Sequence, residues 1–291
     1  MKKSFNFSAE ALDQLAQADA ARALAEDVGA GDLTAALIDP ARQTRARILV
    51  RESAVLCGSA WVQAAVQQFD PKAQLVWRVK DGERCEANQV VLEVQGQARA
   101  LLTAERTALN FLQLLSAVAT KTAAYVAIVA GTQAKIVDTR KTLPGLRLAQ
   151  KYAVCTGGGT NHRVGLYDAV LIKENHIAAA GGIQQVLQRA AQVAAQADFV
   201  EIEVETLEQL AQALEAGARM VLLDNMDLAS LKEAVRINAG RAILEISGGV
   251  TLDGLRALAE TGVDRISIGA LTKDVQAIDF SMRFEAQQGV Q

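Results

Sequence analysis

The chain has 291 residues, 51% of them hydrophobic but only 4% aromatic, and a net charge of −3. At roughly 150 residues per domain this makes one large domain or two modest ones, and its Ala, Leu and Val suit α/β layers better than an aromatic-rich sandwich. The charge leaves no overall basic footprint, so nucleic acid and an anionic membrane are not expected partners.

The opening MKKSFNFSAEALDQ starts basic but turns polar within a few positions, and no stretch approaches ~18 uninterrupted apolar residues. Cys57, Cys85 and Cys155 are too few and too scattered for a disulfide framework or a zinc site. A soluble protein of a reducing cytoplasm is the expectation.

Helical spacing of Leu and Ala over 11–27 is broken by GAGD. The runs at 45–58 and 75–96 read as strands, with Asp81-Gly82 expected as a hairpin turn. The apolar stretch 103–131 predicts two helices with a break near Ser116. Beyond it the pattern becomes regular. Short β-branched runs at 135–138, 169–173, 200–204, 220–224, 242–247 and 265–269 alternate with amphipathic segments. Such alternation predicts parallel βαβ units with right-handed crossovers and a sheet buried on both faces. Six strands fall short of the eight of a full barrel, so an open, incomplete α/β barrel is predicted, with a doubly wound sheet as the rival.

The ends of these six strands carry the chemistry. The first runs into Asp138-Thr139-Arg140-Lys141 and the second stops at Lys173. Glu201 and Glu203, two apart on the third, share a face; the fourth ends in Asp224-Asn225. Ser247-Gly248-Gly249 and Gly269-Ala270 close the last two, where barrels often build a phosphate site from glycine-opened backbone. From Asp138 to Glu174 cations outnumber acids, which predicts an anionic substrate; a solvated helix face accounts for Arg147 and Lys151, but not for Arg140, Lys141 and Lys173 at strand ends. Glu203 and Asp224 suit a divalent metal, sugar hydroxyls, a developing cation or salt bridges to the lysines. His162, after GGGTN, is either a structural hydrogen-bonding residue or a substrate contact, and Asn175-His176 reads as a helix cap.

The segments DTRKTLPGLR (138–147), GGGTNHRVGLYDAVLIKENH (157–176), EIEVET (201–206), LLDNM (222–226), EISGGVTLDGL (245–255) and ISIGALT (266–272) together resemble the signature segments of quinolinate phosphoribosyltransferases. LAEDVGAGDLT (24–34) and TAERTALNFLQLLS (103–116) are similar too, so the resemblance spans nearly the whole chain. It implies an N-terminal α/β sandwich domain over 1–116, an open α/β barrel over 117–273, and a closing helix within 274–291 that returns to the first domain. It also implies a homodimer with shared active sites, acting on quinolinate and phosphoribosyl pyrophosphate with Mg2+.

Residue by residue, the resemblance has Arg106 reach the neighbouring subunit's site and, with Arg140, His162 and Arg163, hold two carboxylates; Thr139 joins the substrate-binding set. Lys141 and Lys173 face pyrophosphate and ribose phosphate oxygens, and Glu203 and Asp224 the ribose and magnesium region, making these four the catalytic candidates. Ser247, Gly248, Gly249, Gly269 and Ala270 take the 5′-phosphate. The competing readings are a nicotinate-type phosphoribosyltransferase, a Schiff-base aldolase using Lys173, and a non-catalytic, transport-associated relative of the same fold.

Overall fold

The structure, a computed structural model, describes residues 6–285 and divides into two compact units. One comprises Phe7–Lys121, Leu148–Gly157 and the segment from Asp274 onward; the other comprises Thr122–Arg147 and Gly158–Lys273.

The first unit opens with α1 (Ala9–Val28), capped by the Ser8 hydroxyl and ended by Gly29 at φ 53°. There follow β1 (Gln43–Val50), β2 (Ala54–Val55), α2 (Ser59–Gln67), β3 (Gln74–Trp77), β4 (Arg84–Cys85) and β5 (Val90–Gln97). Along β1, Ala46, Ile48 and Val50 are buried while Arg45 and Arg47 are exposed and Leu49 half-buried, the period of two that a one-sided strand requires. The expected hairpin at Asp81-Gly82 is not one. The turn exists, with Gly82 at φ 91°, but β3 pairs with β5 and β4 with β2. Asp81 instead caps α2, accepting from Gly58 N and Ser59 N at 3.1 and 3.2 Å.

The two helices expected across 103–131 are a single one, α3 (Ala98–Ile128). Ser116 does not break it: its hydroxyl accepts from Cys57 N and donates to Cys57 O, so a polar side chain is satisfied without disturbing the helix. By length and composition α3 could cross a membrane, yet half of its most apolar window is buried inside the fold. Leu101, Leu109, Leu112 and Leu115 are core residues.

The closing helix expected within 274–291 is, in its described part, a strand. After the barrel, β12 (Phe280–Phe284) pairs antiparallel with β1, completing a sheet of order β12-β1-β5-β3. FSMRF explains why: Phe280 and Met282 are buried and Arg283 exposed, an alternation no helix would use. Residues 286–291 lie outside the described chain.

Between these come β6 (Lys135–Val137), α4 (Arg147–Thr156), β7 (Val170–Ile172), α5 (Glu174–Ala180), α6 (Ile183–Ala190) and β8 (Val200–Val204). Then follow α7 (Leu207–Glu215), β9 (Met220–Asp224), α8 (Leu228–Asn238), β10 (Ile243–Ser247), α9 (Leu252–Ala259), β11 (Arg265–Ser267) and α10 (Ala270–Lys273). Six parallel strands in the order β6-β11-β10-β9-β8-β7 form an open barrel with β6 and β7 as its margins. Thr160 bridges Val137 on one margin. Thr206 and Asp227 cap α7 and α8 through their side chains, so polar loop residues supply the hydrogen bonds that the first turns lack.

Strand parity decides what each face carries. Ile202, Val221, Leu223, Leu244, Ile246 and Ile266 belong to one hydrophobic core with residues of the helices. Their neighbours Glu201, Glu245 and Arg265 point to the other face. That face is buried, as the apolar runs suggested, but it is charged: Glu201 and Glu245 are both 0% exposed.

Candidate active site

Alternate residues of a strand share a face, so the buried charges continue upward into the strand ends: Glu201 leads to Glu203, and Glu245 to Ser247. The parallel register sets Ser247 against Asp224, placing these two ends side by side. Glu203 accepts from Lys173 Nζ at 2.8 Å, with Glu203 mostly buried and Lys173 half open to solvent. Asp224 accepts from Asn225 Nδ2 at 2.8 Å.

The two glycine loops solve different steric problems. Gly248 lies at φ 97°, and a Cβ there would collide with Asn225 Oδ1; only glycine meets both conditions without strain. At Gly269 a Cβ would meet Lys141 Cδ at 2.8 Å, so the missing side chain is what lets Lys141 lie across this loop. Lys141 is anchored by its backbone, its N–H donating to Thr139 Oγ1 and its carbonyl accepting from Thr272 Oγ1. Backbone and ammonium together make a cradle for an anion.

Beside it stand two guanidinium groups. Arg140 Nε is buried without a hydrogen-bond partner. Burial, and then the like charge of Arg140, lowers the pKa of Arg163, while Asp168 and Glu201 work against that shift. Arg163 Nη1 donates to Ala169 O at 3.3 Å. A buried donor lacking a partner next to a second cation is costly in isolation and suits an anion that brings its own acceptors.

Below the arginines the chain from Thr160 to Arg163 is pinned to β6. Thr160 N donates to Ile136 O and Asp138 N to Thr160 O. Asp138, fully buried, accepts from Asn161 Nδ2 and His162 N at 2.7 and 2.8 Å. His162 Nε2 lies 2.8 Å from Glu201 Oε2 and 3.6 Å from Glu245 Oε1, and Glu245 Oε2 accepts from Arg265 Nε at 2.6 Å. Burial raises the pKa of both glutamates to about 7; the charge of Glu203 adds to the shift of Glu201 and that of Glu201 to the shift of Glu245, while Arg265 opposes both. One ligand atom from each of His162, Glu201 and Glu245 falls within 4.8 Å of the others, a spacing a cation could use. Protein groups already bond these carboxylates, Arg265 one and the His162 ring the other, so no metal is assigned there.

Thus Thr139, Arg140, Lys141, His162, Arg163, Lys173, Glu203, Asp224, Ser247, Gly248, Gly249, Gly269 and Ala270 all belong to the barrel unit, at or just below the carboxyl ends of its strands. Arg106 belongs to the other unit, exposed on α3. Lys151 is not on a solvated face as expected but fully buried, on the side of α4 that also buries Ala149, Ala153 and Val154. His176 caps α5, its Nδ1 accepting from Lys173 N. Sequence reasoning passed over Glu245 and Arg265. The available signal was a charge inside each of two otherwise apolar strands, two positions before Ser247 and Ser267 and hence on the same face.

An open parallel barrel with carboxylates, lysines and glycine loops gathered at one rim defines an enzyme class that handles phosphorylated, multiply anionic substrates. The sequence matches the family description "Quinolinate phosphoribosyl transferase, N-terminal domain" over residues 32–116 and its C-terminal counterpart over residues 118–283. A nicotinate-nucleotide pyrophosphorylase (carboxylating) of Mycobacterium leprae is 44% identical over 271 residues, covering 90% of this chain and 94% of the relative. A probable enzyme of the same name from Bacillus subtilis is 41% identical, covering 88% and 89%. The solved nicotinate-nucleotide pyrophosphorylase of Francisella tularensis superposes with a TM-score of 0.91 at 43% identity, over 94% of this chain and 97% of that one. The chain belongs to the quinolinate phosphoribosyltransferase family.

Proposed function

We infer that the chain transfers the phosphoribosyl group of phosphoribosyl pyrophosphate to the ring nitrogen of quinolinate, releasing pyrophosphate and carbon dioxide and leaving nicotinate mononucleotide. The observation that carries this reading is the pairing of Arg140, with its unpartnered buried Nε, and Arg163, destabilised by burial and by that neighbour. A pyridine dicarboxylate offers one carboxylate to Arg140, whose Nε lacks an acceptor, and a second to Arg163, which within the protein bonds Ala169 O. A monocarboxylate would leave one of them unmet, which favours quinolinate over nicotinate. The Schiff-base reading fits poorly, because Lys173 Nζ is already engaged by Glu203 at 2.8 Å.

The residues divide the work by charge. Lys141 and the loops Ser247–Gly249 and Gly269–Ala270 take phosphate oxygens of the ribose donor, and Lys173 takes pyrophosphate oxygens. As the bond to pyrophosphate lengthens, positive charge grows on the anomeric carbon, where Glu203 and Asp224 stabilise it without moving. The pyridine nitrogen attacks and becomes positive; the adjacent carboxylate then departs as carbon dioxide, leaving its electron pair on the ring carbon beside the cationic nitrogen, where a proton from solvent completes the product. No proton leaves that nitrogen, so no general base is needed. The carboxylates of Glu203 and Asp224 are the hard oxygen donors magnesium prefers, but each already holds a protein partner, so they suit an ion arriving with the substrate better than a resident one. Magnesium so bound would offset charge on the leaving group.

A cytoplasmic homodimer completes the proposal. Leu33 and Leu37 are 89% and 83% exposed, and Leu166 and Tyr167 75% and 73%. Large apolar side chains presented so fully in pairs suit contact with a second copy, which would bring Arg106 into its neighbour's site. Incubation with quinolinate, phosphoribosyl pyrophosphate and magnesium should yield nicotinate mononucleotide and carbon dioxide in equal amounts. Product from nicotinate but not from quinolinate would replace this reading with the monocarboxylate one.

A further inference from the structure

Arg147 opens α4, where the helix dipole disfavours a cation, so its charge needs a reason other than the helix. It is half-buried and not on the solvated face expected for it. Its guanidinium spans two loops of the barrel unit. Nε donates to Thr142 Oγ1 and Nη1 to Val164 O, both at 3.0 Å. The chain reaches back to Thr142 because Pro144-Gly145 folds it over. Leu146 N donates to Leu143 O and Gly145 takes φ 80°, the geometry of a type II turn.

Each end of this bridge adjoins the candidate anion-binding residues: Thr142 follows Arg140 and Lys141, and Val164 follows Arg163. The first loop has supports of its own, since Lys141 N donates to Thr139 Oγ1 and Lys141 O accepts from Thr272 Oγ1. The second closes on itself, with Asp168 accepting from Val164 N and Gly165 N at 2.6 and 2.8 Å. Arg147 joins this turn to the firmer loop. A guanidinium is planar and rigid, so bonds at two of its nitrogens fix the two acceptors relative to each other. We propose that Arg147 is a positioning residue: it clamps the turn after Arg163 to the loop of Arg140 and Lys141, setting the spacing of the two guanidinium groups before a dicarboxylate arrives. This rests on the assignment of Arg140 and Arg163 to the two carboxylates of quinolinate. Those carboxylates sit on adjacent ring carbons and cannot change their separation, so arginines free to wander lose affinity.

Calorimetry with quinolinate on the full chain reads the clamp. Arg147→Met keeps the apolar stem but loses both donors. It should weaken quinolinate about tenfold, with KM for phosphoribosyl pyrophosphate within about twofold of wild type. Arg147→Lys restores the charge without the planar fork and should recover little of that loss. If the Met variant does not fold, Arg147→Lys and Thr142→Val, which cuts one of the two bonds, carry the same test. In an Arg163→Ala background Arg147→Met should cost little more, because no guanidinium is left there to orient. Full recovery by Lys, an additive loss in that background, or an equal rise in KM for the ribose donor would overturn the proposal. Arg163→Ala alone tests the assignment beneath it. Unchanged quinolinate affinity there removes Arg163 from the carboxylate, whereas a loss there with none in Arg147→Met removes the clamp alone.

Discussion

Arg140 and Glu245 illustrate opposite uses of burial. Arg140 Nε is sequestered without an acceptor, so its side chain gains most when ligand binds. Removing it should leave a substrate carboxylate short of a charged donor; Arg140→Ala should weaken quinolinate binding roughly 10- to 100-fold by calorimetry, with stability little changed. Glu245 is buried for good, its pKa raised from 4.5 to about 7 by burial and then by Glu201, against the pull of His162 and Arg265. A carboxyl whose folded pKa is raised binds its proton more tightly in the native state. The stability it lends is complete below its ordinary pKa and drains away as pH climbs through about 7. Glu245→Gln, which cannot ionise, should flatten that decline in thermal melts taken across the same window. Removing Arg265 instead should cost about 3–5 kcal/mol, since it strands a buried carboxylate.

At the scale of loops and strands, the two glycine turns predict different failures. Gly248→Ala forces a left-handed residue and a clash with Asn225, so both stability, by about 1–3 kcal/mol, and affinity for phosphoribosyl pyrophosphate should fall. Gly269→Ala meets only the flexible stem of Lys141, so melting should barely shift while KM for the ribose donor rises severalfold. Elements whose signal is local were legible beforehand. The six barrel strands sit within a residue or two of their β-branched runs, and Gly29 ends α1 where GAGD interrupts the spacing. Elements decided by distant partners were not. FSMRF becomes a strand because β1 offers it an edge, and Asp81-Gly82 turns without making a hairpin because β4 finds β2. Lys151 went underground for a similar reason, since the neighbours of α4 come from remote parts of the chain. In the site, residues at strand ends announced themselves by breaking an apolar run, whereas Glu245 and Arg265 sit one layer deeper, where only parity of register reveals them.

For the whole molecule, the proposed dimer makes a quantitative claim. If Arg106 serves a partner's site, mixing Arg106→Ala with Lys173→Ala chains gives heterodimers with one doubly damaged site and one intact. With random exchange in a two-fold dimer, roughly a quarter of wild-type activity should return. No recovery in chromatographically verified heterodimers would place Arg106 in its own subunit's chemistry.

The barrel's unsealed seam also bears on how the molecule comes apart. Among the described residues β7 pairs with β8 alone, while β6, the opposite margin, is stitched by β11 and by Thr160. Thermal fluctuations should therefore unzip the wall from one flank. Deuterium should enter the amides of 170–172 well before those of 243–247, which lie between two neighbours. Because Lys173 follows directly on the looser flank, its ammonium would be the first of the site's charges to stray, and the enzyme should lose turnover on warming before it loses its fold.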